Sequence, residues 1–451
     1  MKKIIIPILA ALAMTGNAQE TPTAPDYGDF TVDAQVRALG EFRTGLGSPS
    51  EEISPSNFFA NDRVRLSFGW ERKNISLKIS AQHTGHWQDA AHKYLSGNIA
   101  LHEAWAKMTF GKGFFAQVGR QELSFDDERL FGTHDWAPTG RAHDALRLGW
   151  SNERHQLQAI ASFNQTADVV DDINYYDPSA TERKLYKNMQ TLWYHLGSPW
   201  QAFQISFLFT NQGVSSENGG GTNFMQTFGT YMDYSVRKFF LDLSLYYQIG
   251  KDRMDTDVRA FMMGADMGWH LSPKWTLTFG DDYMSGSDGM PGTNRTFNLL
   301  YGSHHNFLGS MDYFGFGALP TYGLNDLHVQ TAAKFSPKVD MNMGVHWFAT
   351  ARRINDYLKD PTEHITDPLK IRLMDQYNGQ HRFSQSLGGE IDIDVAYRPW
   401  KDVTLRAGYS MMVASESMQL LKGADAATIH NWGWLSFDIN PTVFSTRHRR
   451  Q

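Results

Sequence analysis

The chain has 451 residues, a formal net charge of −6 and no cysteine. So small a net charge gives no electrostatic case for a nucleic-acid partner or an acidic tail. The lack of cysteine excludes a disulfide framework, a thiolate metal site and a thiol nucleophile. Length alone suggests two or three soluble domains, unless the whole chain forms one closed sheet.

Residues 1–18 have the features of a secretory signal peptide. Two lysines precede an apolar run of about eleven residues, which is too short to cross a bilayer as a helix. Small residues precede an expected cleavage after Ala18. No other run approaches the roughly 20 apolar residues of a membrane helix. We therefore predict an exported chain in which residues 19–451 form a single domain.

Apolar and polar residues alternate through the rest of the chain. In Asn61–Trp70, apolar side chains occupy every second position, and Arg63 and Arg65 take the opposite face. We find about eighteen such segments of roughly 9 to 14 residues, the length that a tilted membrane strand requires. They begin near Phe30, Asn61, Ile75, Ile99, Phe114, Ala142, His155, Gln190, Ala202, Met225, Phe239, Val258, Trp275, Gly323, Val339, Leu387, Asp402 and Ile429.

The connections between these segments alternate between short and long. Short turns such as Gly111–Gly113 are followed by long loops such as Gln121–Arg141 and Ser285–Tyr322. Outer-membrane barrels combine tight periplasmic turns, longer outward loops and an even strand number. The segment His304–Phe316 could form another strand, but the alternation places it in a long loop. We predict an all-β fold, a single transmembrane antiparallel β-barrel of about 18 strands, over a soluble sandwich with strands nearer five or six residues.

The loop Gln121–Arg141 carries too many charges to lie in lipid, so it either projects into water or folds into the barrel interior. The stretch GRQELSFDDERLFGTHDWAPTGRAHDALRL, residues 119–148, resembles the signature of the alginate export porin family. LHEAWAKM (Leu101–Met108) and FNLLYGSHHNFLGSMDYF (Phe297–Phe314) are also similar to that family. The resemblance implies an 18-stranded outer-membrane barrel whose charged lumen conducts a polysaccharide or its oligomers, alginate being the type substrate.

The resemblance also implies a set of residues along the solute path. An arginine fork suits a uronate carboxylate, although such an arginine could equally be locked to Asp126, Asp127 or Glu128 to fix the loop. Alternation turns Arg147 inward and adds three bases and one carboxylate from other strands. The predicted path residues are Arg63, Arg65, Lys107, Arg120, Gln121, Glu122, Arg129, Arg141, Asp144, Arg147 and Asp392.

The inward positions separate by charge along the chain. Early strands send in Arg37, Arg43, Arg63, Arg65, Lys107 and Arg147. Later strands send in Asp233, Asp242, Asp266, Asp282, Asp326, Asp340, Glu390, Asp392 and Asp394, against His328, Lys334, Arg398 and Arg406. A basic wall facing an acidic wall would create a transverse field. The division leaves neutral or zwitterionic solutes possible, so a general diffusion porin for small polar solutes is the alternative function.

No enzyme, cofactor or metal site is predicted. The sequence has no G-x-S-x-G elbow, and His83 and His86 lie three apart on a strand, so they face opposite ways. The pair His304-His305 falls in a loop and is a weak candidate for metal binding. The expected partners are the outer-membrane bilayer and a saccharide or other polar solute, served by a monomeric barrel without nucleic acid.

The last predicted strand, Asn431–Phe444, is followed by a basic tail, residues 445–451, that we expect to be unstructured. Tryptophans near strand ends, Trp432 and Trp434 among them, are expected to form interfacial girdles.

Overall fold

The structure is a computed structural model that describes residues 27–44, 57–87, 98–164, 186–197, 202–218, 220–287, 292–315, 319–354, 383–424 and 426–447. The predicted signal peptide, residues 1–18, lies outside the described residues. None of the helices in the described part of the chain has the length and apolar character of a membrane-spanning helix.

Strands make up nearly all of the described secondary structure. They are β1 (Asp29–Thr44), β2 (Asn57–Arg72), β3 (Ile75–His86), β4 (Asn98–Phe110), β5 (Phe114–Gln121), β6 (His143–Ser151), β7 (His155–Phe163), β8 (Asn188–Gly197), β9 (Phe203–Ser215), β10 (Thr222–Val236), β11 (Phe239–Lys251), β12 (Asp257–Ser272), β13 (Trp275–Met284), β14 (Leu324–Ser336), β15 (Val339–Ala349), β16 (Ser386–Trp400), β17 (Val403–Ala414), β18 (Ile429–Ile439) and β19 (Thr442–Ser445).

The strands form one closed antiparallel sheet. From β1 to β18 each strand pairs with the next along the chain, and β1 pairs with β18 to close the barrel. The predicted 18-strand barrel is thereby confirmed, with β19 as a short addition. The predicted strand Asn431–Phe444 is interrupted before Pro441, which has no backbone N–H for the ladder. Beyond the break β19 pairs with β1, and Ser445 lies opposite Thr31, so the start of the tail is ordered rather than unstructured.

Side chains alternate between the lipid face and the interior. In β2, Val64 and Phe68 are 44% and 48% exposed on the outer face, whereas Arg63 is 1% exposed on the inner face. The predicted aromatic girdle is wrong for Trp432 and Trp434, which are buried against Trp136 inside the barrel. Their positions share the parity of the inward residues of β18, so strand alternation outweighs the general preference of tryptophan for the interface.

The short connections at one end of the barrel depend on left-handed backbone conformations. Lys73, Lys112 and Arg237 have φ values of 49°, 55° and 57°. Gly113 has φ 85°, and a Cβ added there would lie 1.9 Å from the Ser151 carbonyl oxygen. A larger residue at this position would therefore disturb the turn. These tight turns mark the periplasmic end.

Two long loops fold into the interior from the opposite end. The first inward loop is residues 122–142, and the second inward loop is residues 292–315. Their backbones meet where Gly132 N donates to Tyr301 O at 3.0 Å and Tyr301 N donates to Leu130 O at 2.8 Å. Phe131, Tyr301 and Phe314 are at most 1% exposed. The interior at this level is thus a packed apolar core. Of the two places left open for the loop Gln121–Arg141, the structure selects the interior.

Short helical pieces lie in these and neighbouring loops. A 3-10 turn spans His304–Asn306, so the segment that begins at His304 belongs to a loop, as predicted. Helix α1 (Glu416–Lys422) was not predicted. Ser415 caps its start by accepting a hydrogen bond from Met418 N at 3.2 Å, and Gly423 ends it with φ 72°. Seven residues are too few for helical periodicity to be read from the sequence.

Candidate functional site

Arginines of the early strands hold the first inward loop against the wall. Arg37 donates to the carbonyl oxygens of Asp135 and Trp136 at 2.6 and 3.0 Å. Arg63 Nη2 lies 2.9 Å from Asp135 Oδ1, and Arg65 Nη1 lies 3.8 Å from the same atom. Arg63 and Arg65 were both predicted to line the solute path. In the structure their guanidinium groups face Asp135 and help to hold this loop.

Arg129 is locked inside the structure. Its guanidinium lies 2.7 Å from Asp127 Oδ2 and 3.1 Å from Asp266 Oδ2, and it also contacts Asp282. Burial disfavours its charge, but the carboxylates of Asp282, Asp127 and Asp266 outweigh that effect and raise its pKa. The sequence left open whether such an arginine fixes the loop or binds the solute. The structure shows Arg129 fixing the loop, with its guanidinium taken by three carboxylates.

Three other predicted path residues also make contacts that stabilise the loops. Arg141 Nη1 donates to Gly302 O at 2.9 Å and so joins the two inward loops. Gln121 is fully buried and donates to backbone carbonyls. Glu122 Oε1 lies 2.8 Å from Nε2 of His102. These contacts position the loops rather than present groups to the lumen.

Arg120 and Asp144 lie on the outer face of the barrel. They form a two-pronged pair at 3.0 and 2.7 Å, with side chains 43% and 51% exposed. Arg120 shares the parity of Val118, and Asp144 that of Leu146, which are both exposed on the lipid side. Their prediction as path residues is therefore inconsistent with the structure. The motif that suggested them includes strand positions that face outward.

Lys107 and Arg147 line a cavity of about 460 Å³ near the periplasmic turns. They face the same side because both lie in register with Gln117 of β5. Lys107 Nζ lies 4.4 Å from the centre of the Phe115 ring, and Arg147 donates to Gln158 at 2.7 Å. In the described part of the chain, neither cation forms an ion pair with a carboxylate. These two predicted residues are thus available to an anionic solute.

A larger cavity of about 730 Å³ lies below the inward loops and extends toward the periplasmic turns. Its charged lining has both signs: Arg37, Arg398 and Arg406, and Glu128, Asp135, Asp392, Asp394 and Asp438. Arg398 pairs with Asp340, whereas Arg406 forms no ion pair with any residue that the structure describes. Asp392 is the one predicted path residue on this lining.

Carboxylates and imidazoles form a continuous row on the acidic wall. Asp266 Oδ1 lies 2.8 Å from His328 Nε2, and Asp326 lies 3.6 Å from His328 Nδ1 and 2.9 Å from His346 Nδ1. His346 Nε2 is 3.8 Å from Asp392. The row crosses β12 to β16, and three of the nine predicted acidic residues therefore lie beside a histidine.

Burial sets the protonation of two side chains in and under the loops. It lowers the pKa of His304, whose Nε2 lies 3.0 Å from Leu299 O, to about 4. It raises the pKa of the Asp126 carboxyl, which accepts a hydrogen bond from Trp193 Nε1 at 3.1 Å, to about 6. The two shifts favour neutral forms of both groups.

Several lining residues were outside the predicted path. Asp438 shares the inward face with Trp434, so alternation could have found it. His346 lies opposite His328 and could have been found in the same way once the register was known. Asp135 lies in a loop, where no periodicity applies, and no sequence signal places it at the cavity.

Comparison with known proteins gives one family and one fold. A family profile described as "Alginate export" matches residues 79–429. The outer membrane protein opdK from Pseudomonas aeruginosa superposes with a TM-score of 0.60 at 9% identity, covering 91% of this chain and 98% of that one. OccK2 (OpdF) of the same organism, in complex with glucuronate, gives 0.59 at 10% identity, covering 92% and 97%. No curated protein sequence matches. At such identities the structural likeness shows the fold alone.

Proposed function

Since the chain belongs to the alginate export family and forms an outer-membrane barrel channel, we propose that it passes a polar or charged saccharide, an alginate-like polyuronate or its oligomers. The observation that supports this most is the pair Lys107 and Arg147. Both cations line a cavity, and neither has a carboxylate partner among the described residues.

The chemistry of this pair suits a uronate. The planar guanidinium of Arg147 can hold a carboxylate with two parallel hydrogen bonds, and the Lys107 ammonium adds a point charge. Phe115 lies beside both cations and offers an apolar ring face to the sugar. Each charge-assisted hydrogen bond contributes about 1.5–3 kcal/mol, which is enough to attract the solute and small enough to release it.

The structural neighbour OccK2 supports the same solute class, because it was crystallised with glucuronate, a single uronate. A barrel of this fold can therefore admit a uronate. The proposal for the present chain still depends on its own basic pair, since the two sequences are 10% identical.

A second candidate function is general diffusion of small polar solutes without preference for saccharides. The mixed lining of the larger cavity favours it, because Arg398 and Arg406 stand in the same cavity as Asp392 and Asp438. A transverse field of this kind orients any dipolar solute and selects only weakly by net charge.

We propose no catalysed reaction and a monomeric barrel for either function. Closing the sheet through β1 and β18 satisfies the strand edges within one chain, so pairing with a second copy is not needed for that purpose.

Single-channel recording in a planar bilayer tests the two functions against each other. An oligouronate is added to one side, and a neutral oligosaccharide of equal length is the control. The saccharide function predicts concentration-dependent interruptions of the current by the oligouronate and far fewer by the neutral sugar. Equal effects of both sugars, or none, would favour general diffusion.

A further inference from the structure

Three side chains on the acidic wall converge on one point. Asp326 and His328 lie two apart on β14 and share a face, and His346 of β15 lies directly opposite His328. One ligand atom from each lies within 4.8 Å of the other two. The residues are 0%, 4% and 4% exposed, so the cluster belongs to the buried wall.

We propose that Asp326, His328 and His346 bind a divalent transition-metal ion of the Zn²⁺ type. Two imidazoles and a carboxylate are the ligand set that Zn²⁺ and its neighbours prefer, and three protein ligands leave a fourth position for water. Harder cations such as Mg²⁺ and Ca²⁺ favour sites built from oxygen alone.

An unpartnered nitrogen supports the proposal independently of the clustering. Among the described residues, His328 Nδ1 is buried without a hydrogen bond, and Asp326 Oδ2, 3.6 Å away, is beyond hydrogen-bond distance. His346 Nδ1 lies 2.9 Å from the same oxygen. The Nδ1 atoms of both rings therefore face Asp326, the position a shared ion would require.

The opposite nitrogens of both rings meet carboxylates. His328 Nε2 lies 2.8 Å from Asp266 Oδ1, and His346 Nε2 lies 3.8 Å from Asp392 Oδ2. Ligating histidines commonly donate this second N–H to a carboxylate, which fixes the ring and the tautomer. In the described chain both Asp392 oxygens are buried without a hydrogen bond, so Asp392 could move toward His346 when an ion binds.

The site has a route to water. His346 and Asp392 line the larger cavity, which provides both an entry path and room for a water ligand. The competing explanation is that the row consists of protonated imidazoles paired with carboxylates. The two explanations differ experimentally, because only the first predicts that the three side chains bind a metal ion.

The test uses the whole barrel, purified without a polyhistidine tag and titrated with Co²⁺. Visible absorption distinguishes four-coordinate Co²⁺ from the six-coordinate aqueous ion, and Zn²⁺ should displace it. We expect one Co²⁺ per chain in the wild type, and loss of the four-coordinate spectrum in His328→Asn and His346→Asn. The control is His305→Asn, which removes another histidine of the same cavity, one that pairs with Asp312. An aqueous spectrum in the wild type, or an unchanged one in His328→Asn, would overturn the proposal.

Asp266→Asn provides a second test in case the histidine variants fail to fold. The folding of every variant is checked by circular dichroism. It leaves the three ligands in place, weakens the outer partner of His328 and also removes one carboxylate from around Arg129. The proposal predicts metal affinity about 10- to 100-fold weaker. Unchanged affinity would contradict it.

Discussion

The two charged walls of the lumen use their charges differently. On the basic wall, Arg37 and Arg63 are taken up by the first inward loop, whose backbone and Asp135 they hold. On the acidic wall, three carboxylates instead lie beside the imidazoles of His328 and His346. Lys107 and Arg147 lie toward the periplasmic end of the basic wall and keep their charge available. An inward cation therefore keeps its charge available only where neither a loop nor a neighbouring strand provides a carboxylate.

The largest expected effect comes from the locked arginine. Arg129→Met leaves Asp127, Asp266 and Asp282 without their shared cation, and breaking a buried ion pair from one side costs about 3–5 kcal/mol. The loop can leave its position without unfolding the barrel, so we expect larger and noisier single-channel currents. The control is Arg120→Met on the outer face, where an exposed pair contributes about 0–1 kcal/mol and the current should not change. Equal currents in both variants would refute the locked role.

A smaller effect is expected where Arg37 clamps the first inward loop to the barrel wall. Arg37→Gln removes the charged donors to the carbonyl oxygens of Asp135 and Trp136, each worth about 1.5–3 kcal/mol. Because Arg63 still holds Asp135, we expect intermittent opening rather than permanent displacement of the loop. The measurement is the fraction of time that single channels spend in the higher-conductance state. A fraction equal to that of the wild type would show that the clamp is unimportant.

The smallest effects concern pH. His304 has a pKa of about 4 when buried and about 6.5 when free, so its contribution to loop seating is complete above pH 6.5 and is lost as pH falls toward 4. Asp126 has a pKa of about 6 against about 3.9 when free, so its contribution is complete below pH 3.9 and is lost as pH rises to 6.

Single substitutions separate these opposed contributions. In His304→Gln the loops should stay in place at low pH better than in the wild type. In Asp126→Asn the only remaining effect should be the displacement of the loops at low pH that His304 causes. Conductance recorded from pH 4 to pH 7 gives the comparison. Identical pH profiles in the wild type and both variants would mean that neither group controls the loops.

Alternation in the sequence was sufficient to predict the barrel, because a strand that separates lipid from a polar interior must repeat every two residues. It placed Lys107, Arg147 and Asp392 on the inner face. It could not predict that Arg63 would lie beneath a loop, because a long-range contact leaves no local period. It also could not predict that Arg129 would meet Asp266 and Asp282, which belong to distant strands.

The departures from the predicted pattern also have physical causes. Pro441 interrupts the last strand because it lacks an N–H, and the inward parity of Trp432 and Trp434 removes them from the membrane interface. Arg120 and Asp144 were assigned to the path by motif alone, and the strand parity places them on the other face.

The most direct test of the proposed solute is oligouronate blockade of Lys107→Gln/Arg147→Gln beside the Arg120→Gln control. Losing two available cations should weaken blockade about tenfold or more, since one charge-assisted hydrogen bond already contributes about 1.5–3 kcal/mol. Arg120→Gln removes an arginine that lies outside the lumen, so the oligouronate should block this variant as it blocks the wild type. Undiminished blockade in the double variant would contradict the account.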